Sequence, residues 1–376
     1  MWNHRYLSRI DFRTIPILLA LMCISILVIA STTGEGYEWG REESLWTPTV
    51  KMQLRWFMMG WVVYLFFAGS DYRKLREWAW ILYVGILIAL FGLFFTNPIQ
   101  NVQRWYRLLG FAFQPSEYAK LIVVIALSRF MESRDMIMRS GRAVLQAALI
   151  VLIPFMLIFK QPDLGTALVL FPMTLVMFYF GGVQKKIITL MSLMGIAVLL
   201  FVSFLFLGIL SHEELRPLAT KVLKEYQYER LNPNTYHQQA AQTAIALGSI
   251  TGSGWRQSDF TGRQWLPAAH TDSVFAAFTE EFGLIGVLFL LLFFFGLIYF
   301  SFQVTAVAKD RFGRLLSSGI TVYLAVHVIF NVGMMCGFLP ITGIPLILVT
   351  YGGSSVLSTM AALGILQSIY SRRFMF

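Results

Sequence analysis

The stretch Leu266–Phe300, LPAAHTDSVFAAFTEEFGLIGVLFLLLFFFGLIYF, decides the class of this protein. Its apolar run is long enough to cross a bilayer, since about 20 such residues in helix suffice. Yet it opens on His270-Thr271-Asp272 and carries Glu280 and Glu281 further in. Carboxylates are expensive in lipid unless partnered or solvated, so these acids need a purpose.

The rest of the chain agrees with a membrane reading. Of 376 residues, 57% are hydrophobic and 13% charged, and Phe alone supplies 33. A soluble protein needs more polar surface than that. The runs are continuous rather than alternating, which excludes an outer-membrane barrel and leaves helices. The expected fold is an all-α polytopic membrane protein of ten spans, near 14–32, 52–69, 78–96, 114–131, 143–159, 164–180, 187–210, 271–303, 315–337 and 352–370. One transmembrane domain covers 1–376, with a long loop at 211–270 between spans seven and eight.

Charge sets the direction. With the N-terminus inside, the inner segments hold Arg5, Arg9, Arg13, Arg73, Lys74, Arg76, Arg129, Arg134, Arg139, Arg142, Lys185, Lys186, Lys309, Arg311, Arg314, Arg372 and Arg373. The short outer loops hold only Arg41, Lys51, Arg104, Arg107 and Lys160. The positive-inside rule therefore gives N-in and C-in, with the 211–270 loop outside. That loop reads as a folded cap with a short helix near 237–247. The net charge of +10 is accounted for by loops against anionic lipid, and no basic stripe or reader motif suggests nucleic acid. Cys23 and Cys336 have neither disulfide-framework nor metal spacing. The basic N-terminus and the run from Ile15 to Ala30 read as an uncleaved first span.

Three outward-starting helices carry an acid in or near the first turn: Glu117, Asp163 and Asp272. Gln114-Pro115 and Gln161-Pro162 echo each other, and proline suits a helix start, so Pro115 and Pro162 are expected to open spans four and six. The acids read either as partners of the helix dipole or as members of a site. Arg104, Lys120 and His270 beside them favour a site. Lys120, three residues after Glu117, shares its helix face and is either a structural ion pair or part of that site. Glu280 is expected about 12 Å down the eighth helix, near mid-membrane, and with Glu281 is read as a packing anchor or cavity liner. His327 and Asn331 read as interhelical partners. Gly352-Gly353-Ser354-Ser355 reads as a close-packing element or a row of N–H donors for an anion.

Taken in order, these motifs form a pattern: Arg104-Trp105; Gln114-Pro115-Ser116-Glu117 with Lys120; Gln161-Pro162-Asp163-Leu164-Gly165; Tyr226-Gln227 with Arg230; Gln242 with Ile245-Ala246; Leu266-Pro267 with His270-Thr271-Asp272; Glu280-Glu281 with Gly283; Leu339-Pro340-Ile341-Thr342-Gly343; and Tyr351-Gly352-Gly353-Ser354-Ser355. The chain resembles the SEDS family (shape, elongation, division and sporulation) over nearly its whole length. Thr342 before Gly343 resembles the RodA-like, elongation branch. It departs from the usual pattern at Ala268, Ser273, Ile347 and Thr350, which marks a divergent member.

The resemblance implies a peptidoglycan glycosyltransferase that polymerises lipid II, a disaccharide-peptide on undecaprenyl diphosphate. It implies the bacterial cytoplasmic membrane, an active site on the extracytoplasmic face, a class B penicillin-binding transpeptidase as partner, and rod-complex scaffold proteins. Asp272 is then the expected general base. Arg104, Glu117, Lys120, Arg230, Gln242, His270 and Thr271 are expected around the substrate. Glu117 either orients Lys120 or, like Asp272, helps hold a divalent cation such as Mg²⁺ beside the diphosphate. Gln114, Pro115, Asp163, Glu280, Glu281, Gly352, Gly353 and Ser354 are expected to support the site. The rival functions are a flippase for the lipid-linked precursor and a non-catalytic scaffold. A flippase more often shows repeats and a midplane site, which this sequence lacks.

Overall fold

The computed structural model describes residues 4–33, 45–96, 103–108, 111–134, 140–219, 228 and 232–374. Each of the ten expected segments is helical: α1 Thr14–Thr32, α2 Pro48–Gly69, α3 Arg73–Gly92, α4 Pro115–Ser133, α5 Gly141–Lys160, α6 Leu164–Phe180, α7 Lys185–Phe206, then α11 Val274–Val307, α12 Arg311–Met335 and α13 Gly353–Ser371. Between α7 and α11 lie the short helices α8 His212–Ala219, α9 Tyr236–Gly248 and α10 Asp259–Gly262. The α9 helix is the one expected in the loop. A two-stranded hairpin, β1 Tyr106–Leu108 and β2 Phe111–Phe113, precedes α4 and had no clear sequence signal. It is too short to alter an all-α membrane architecture.

Several helices start before their apolar run because a polar residue caps them. The Thr47 hydroxyl accepts from Val50 N ahead of α2, with Pro48 in its first turn. The Asp310 carboxylate accepts from Gly313 N ahead of α12. Such caps satisfy N–H groups that a helix leaves orphaned.

Among the described residues, six helices are long and apolar enough to cross a membrane: Thr14–Thr32, Arg73–Phe95, Gly141–Lys160, Lys185–Phe206, Val274–Val307 and Arg311–Met335. The α4 and α13 helices are more polar because they are buried on almost every side and have little surface to offer lipid. The α13 helix packs most heavily on α2, and α12 lies against α4, α6 and α11. At the start of α13, a Cβ on Gly353 would lie 2.4 Å from the Trp56 ring, so only glycine permits this approach of α13 to α2.

The eighth expected span differs from its reading in an informative way. The α11 helix is broken at Gly283, whose φ of 62° and ψ of −167° are open essentially to glycine alone. The groups freed by the break are paired by the loop. Leu284 N and Ile285 N donate to the carbonyls of Ser249 and Ile250, while Ser253 N and Gly254 N donate to those of Glu280 and Glu281. Every residue from Val274 to Glu281 is buried, whereas the exposed apolar stripe begins at Leu284 and runs through Leu288, Leu292 and Phe295. The part from Leu284 to Val307 is about 36 Å long at 1.5 Å per residue, enough to cross the hydrocarbon by itself. Glu280 and Glu281 therefore sit at the mouth of the rod, beneath the loop, and not near mid-membrane as a continuous helix would put them. The Glu280 carboxylate accepts from Phe260 N at 2.9 Å and Thr261 N at 3.0 Å, and Glu281 accepts from Arg256 N at 3.2 Å. Both hold the loop down, as packing anchors.

Candidate active site

Asp272 lies two residues before α11, whose N-cap is Ser273, so it caps no helix. The capping alternative thus fails for Asp272. It applies instead to Asp163, which is the N-cap of α6 and accepts from Thr166 N at 3.4 Å. Consequently α6 begins at Leu164 rather than at Pro162, while Pro115 does open α4.

The turn carrying Asp272 is fixed by its own backbone and by α12 and the segment before α13. Thr271 N and Ser273 N both donate to the Ala268 carbonyl. The next three carbonyls are each held by a different donor. His270 O accepts from Tyr351 N at 3.0 Å, Thr271 O from the Thr350 hydroxyl at 3.2 Å, and Asp272 O from the Asn331 amide at 3.2 Å. Three successive clamped carbonyls leave the Asp272 side chain little freedom of origin. The residue is half-buried, and a Cβ on Gly343 would lie 3.5 Å from its Oδ2.

The other motifs gather on this same end of the bundle. Arg104 donates through Nε to Gln161 O at 3.2 Å and through Nη2 to Pro162 O, which fixes its guanidinium over the α5–α6 junction. Asp163 Oδ2 accepts from Ser116 Oγ at 2.9 Å and Gln114 Nε2 at 3.1 Å, tying the starts of α4 and α6 together. The sequence echo between those two starts is thus a physical bridge. Ser354 accepts from Gln114 N and donates to Ala112 O, joining α13 to the hairpin. Gly352 N donates to Gln53 Oε1. Gly353 packs closely on Trp56, whereas a Cβ on Gly352 would meet open space.

Burial pushes the Asp272 carboxyl above the usual carboxylate range, and nearby Asp163 adds to this. Arg104 and His270 pull it back. Burial lowers His270, whose ring meets Tyr351 edge-on at 5.9 Å. A carboxylate with a raised pKa and an arginine in its field suits a proton acceptor.

Other expected site residues are placed differently. Lys120 is fully buried, 2.8 Å from Glu117 Oε1 and 2.8 Å from His327 Nε2, with its ammonium 5.3 Å from the Tyr323 ring. It is held inside the bundle by these three groups rather than displayed at the mouth. Gln242 is exposed on α9 beside the Gly337 turn, and Thr271 is at the surface of the Asp272 turn. Arg230, Tyr226 and Gln227 lie outside the described residues. Among the described residues no group of three or more His, Cys, Asp and Glu side chains could hold a metal. Glu117 Oε1 is engaged by Lys120, while its Oε2 is buried without a hydrogen-bond partner among the described residues.

Three residues escaped the sequence reading as parts of the site. Asn331 was legible only as an interhelical partner. Thr350 counted as a departure, yet it supplies a hydroxyl to the Asp272 turn. His237 on α9 lies 2.7 Å from Ser273 Oγ and so docks the loop beside Asp272. The departure at Ser273 could have raised that possibility, since a small polar residue needs a partner when buried.

With this geometry in view, comparisons with known proteins are decisive. The family described as "Cell cycle protein" (FtsW/RodA/SpoVE) matches residues 12–373. The chain belongs to this family. The peptidoglycan glycosyltransferase MrdB of Escherichia coli (strain K12) is 32% identical over 377 residues, covering 97% of this chain and 95% of MrdB. The peptidoglycan glycosyltransferase RodA of Treponema pallidum (strain Nichols) is 29% identical, covering 98% and 99%. A chain from a solved peptidoglycan synthase complex, described as coordinating polymerization and crosslinking, superposes with a TM-score of 0.75 at 26% identity, covering 98% of this chain and 99% of that one. The rod shape determining protein RodA of Thermus thermophilus superposes with a TM-score of 0.70 at 25% identity, covering 97% and 98%. The family membership and the RodA-like placement read from the motifs both hold, and so does the polytopic helical membrane fold.

Proposed function

We propose that this family member polymerises lipid II into glycan strands, with Asp272 as the general base. It is a peptidoglycan glycosyltransferase, like the relatives it resembles across its full length. The observation that carries the mechanism is the clamped Asp272 turn: a carboxylate that is not the α11 N-cap, with an elevated pKa and Arg104 in its field.

In the reaction, the acceptor hydroxyl oxygen attacks the anomeric carbon of the donor sugar. The bond from that carbon to the diphosphate oxygen breaks, and the polyprenyl diphosphate leaves with the bonding pair. The hydroxyl proton passes to Asp272. A positioned base of this kind contributes typically ~10²–10⁴-fold. The α-linked donor becomes a β-linked product in one displacement, so no protein nucleophile is needed. The Arg104 guanidinium, held over the α5–α6 junction with its charge felt at Asp272, is a fixed cation for the leaving diphosphate, and a planar fork suits phosphate oxygens. Lys120, buried with Glu117, holds the α4–α12 interior and acts on the site through shape.

The active face is the outer side of the bacterial cytoplasmic membrane, where lipid-linked precursor is polymerised. The partner is a class B penicillin-binding transpeptidase within a rod-type synthase complex with its scaffold proteins; the likeness to a chain from a synthase complex supports this. The deciding experiment combines purified protein with lipid II, with and without transpeptidase, and resolves products on a gel. Glycan ladders from the native protein and none from Asp272→Asn support the reading. Ladders of near-native yield from Asp272→Asn remove the base. Lipid transfer across sealed vesicles without ladders would indicate a flippase instead.

A further inference from the structure

At the opposite end of the bundle from Asp272, α7 stands apart. Of its 22 residues only Leu205 is buried. It approaches α6 closely at Gly195, where a Cβ would lie 2.8 Å from the Phe171 ring. Between that contact and the start of α7, a groove of about 520 Å³ opens among α5, α6 and α7, walled by apolar side chains such as Val151, Phe155, Phe178 and Met191. This is within the range of ligand-sized sites. The groove reaches Gly141 at the start of α5 and Ile187 in the first turn of α7.

The residues adjoining these two ends are basic and exposed: Arg142 after Gly141, and Lys185-Lys186 before Ile187. Lys185 and Lys186 lie at the positive end of the α7 dipole, where the Gln184 side chain makes no cap hydrogen bond. Cations at a helix start are unfavourable unless an anion joins them. An apolar slot with a cationic rim at the membrane surface matches a molecule with an acyl tail and a negative head. Basic pockets between transmembrane helices hold such head groups.

We propose that the α5–α6–α7 groove binds an anionic phospholipid, its acyl chain in the slot and its phosphate among Arg142, Lys185 and Lys186. The site lies in the leaflet opposite Asp272 and is independent of glycosyl transfer; only its assignment to the cytoplasmic leaflet rests on the proposed outer location of the active site. The lipid fills the gap that holds α7 off the bundle.

The test uses the full chain in mixed micelles containing phosphatidylglycerol or phosphatidylcholine, with retained lipid counted by native mass spectrometry. Native protein is expected to retain phosphatidylglycerol preferentially. Charge removal at Arg142→Gln/Lys185→Gln/Lys186→Gln should cut that retention by about tenfold or more, since each basic side chain near an anionic surface contributes about fivefold. A plug, Ala148→Trp, should cut it without changing any charge. Equal retention of both lipids, or native retention by either variant, overturns the proposal. The surface charge variant is expected to fold normally, and polymerase activity serves as its control for folding.

Discussion

The side-chain amide of Asn331 donates to the main-chain carbonyl of Asp272 across 3.2 Å and to that of Ile344 across 2.8 Å. One amide on α12 thus fixes both the aspartate turn and the strand of chain that faces it. Asn331→Leu should keep the fold and lower the polymerisation rate by about 10–100-fold, because small misplacements of a reacting group cost about that much. Gel quantification of glycan strands, alongside a melting curve, separates this from unfolding. Native activity in a folded Asn331→Leu protein would deny Asn331 a positioning role.

The elevated Asp272 pKa predicts a pH signature of stability. Below its unfolded pKa, aspartate is protonated in both states and its titration adds no pH dependence. As the pH rises through the higher folded value, native Asp272 must either ionise in an unfavourable place or stay protonated when the unfolded chain would not. The native protein therefore loses stability over that window. Asp272→Asn has no such loss. Its melting temperature should exceed that of the native protein at neutral pH, with the difference shrinking in acid. A gap that stays constant with pH would contradict the upward shift. Activity should fall as the pH drops through the same window.

Lys120 and Glu117 form a buried pair with 1% and 3% side-chain exposure. Removing one partner leaves the other charge stranded, at about 3–5 kcal/mol. Lys120→Met should therefore destabilise strongly, and the double variant Lys120→Met/Glu117→Leu should recover most of the loss. If polymerase activity returns with stability, the pair is structural. If the stable double variant is inactive, one of the two contacts substrate.

At Gly283 a Cβ would lie 2.3 Å from Gly252 N and 2.5 Å from Ile250 O. Gly283→Ala must shift backbone on both sides of the break and should cost at least about 2 kcal/mol. Faster proteolysis of the 249–265 region, measured in detergent at constant temperature, would report the loosened loop.

The apolar runs were enough to place all ten long helices, because lipid leaves the backbone no other choice. The acids were legible as a group, since charge beside such runs is rare. What escaped the sequence was geometry carried by main chain. Nothing in the identities of His270, Thr271 and Asp272 says that their carbonyls are clamped by Tyr351, Thr350 and Asn331. The depth assigned to Glu280 failed because a single glycine interrupts a helix that periodicity treats as continuous. Lys120 looked like a phosphate ligand by charge; only packing reveals Glu117, His327 and Tyr323 closing around it.

The interruption at Gly283 also resets rotational phase. In an unbroken helix, inserting one residue turns everything above it by about 100°. Here, backbone bonds to Ser249 and Ile250 pin the top of the rod independently of its length. The lipid-facing portion can gain or lose residues to match a thicker or thinner bilayer while the azimuth of Asp272 stays constant.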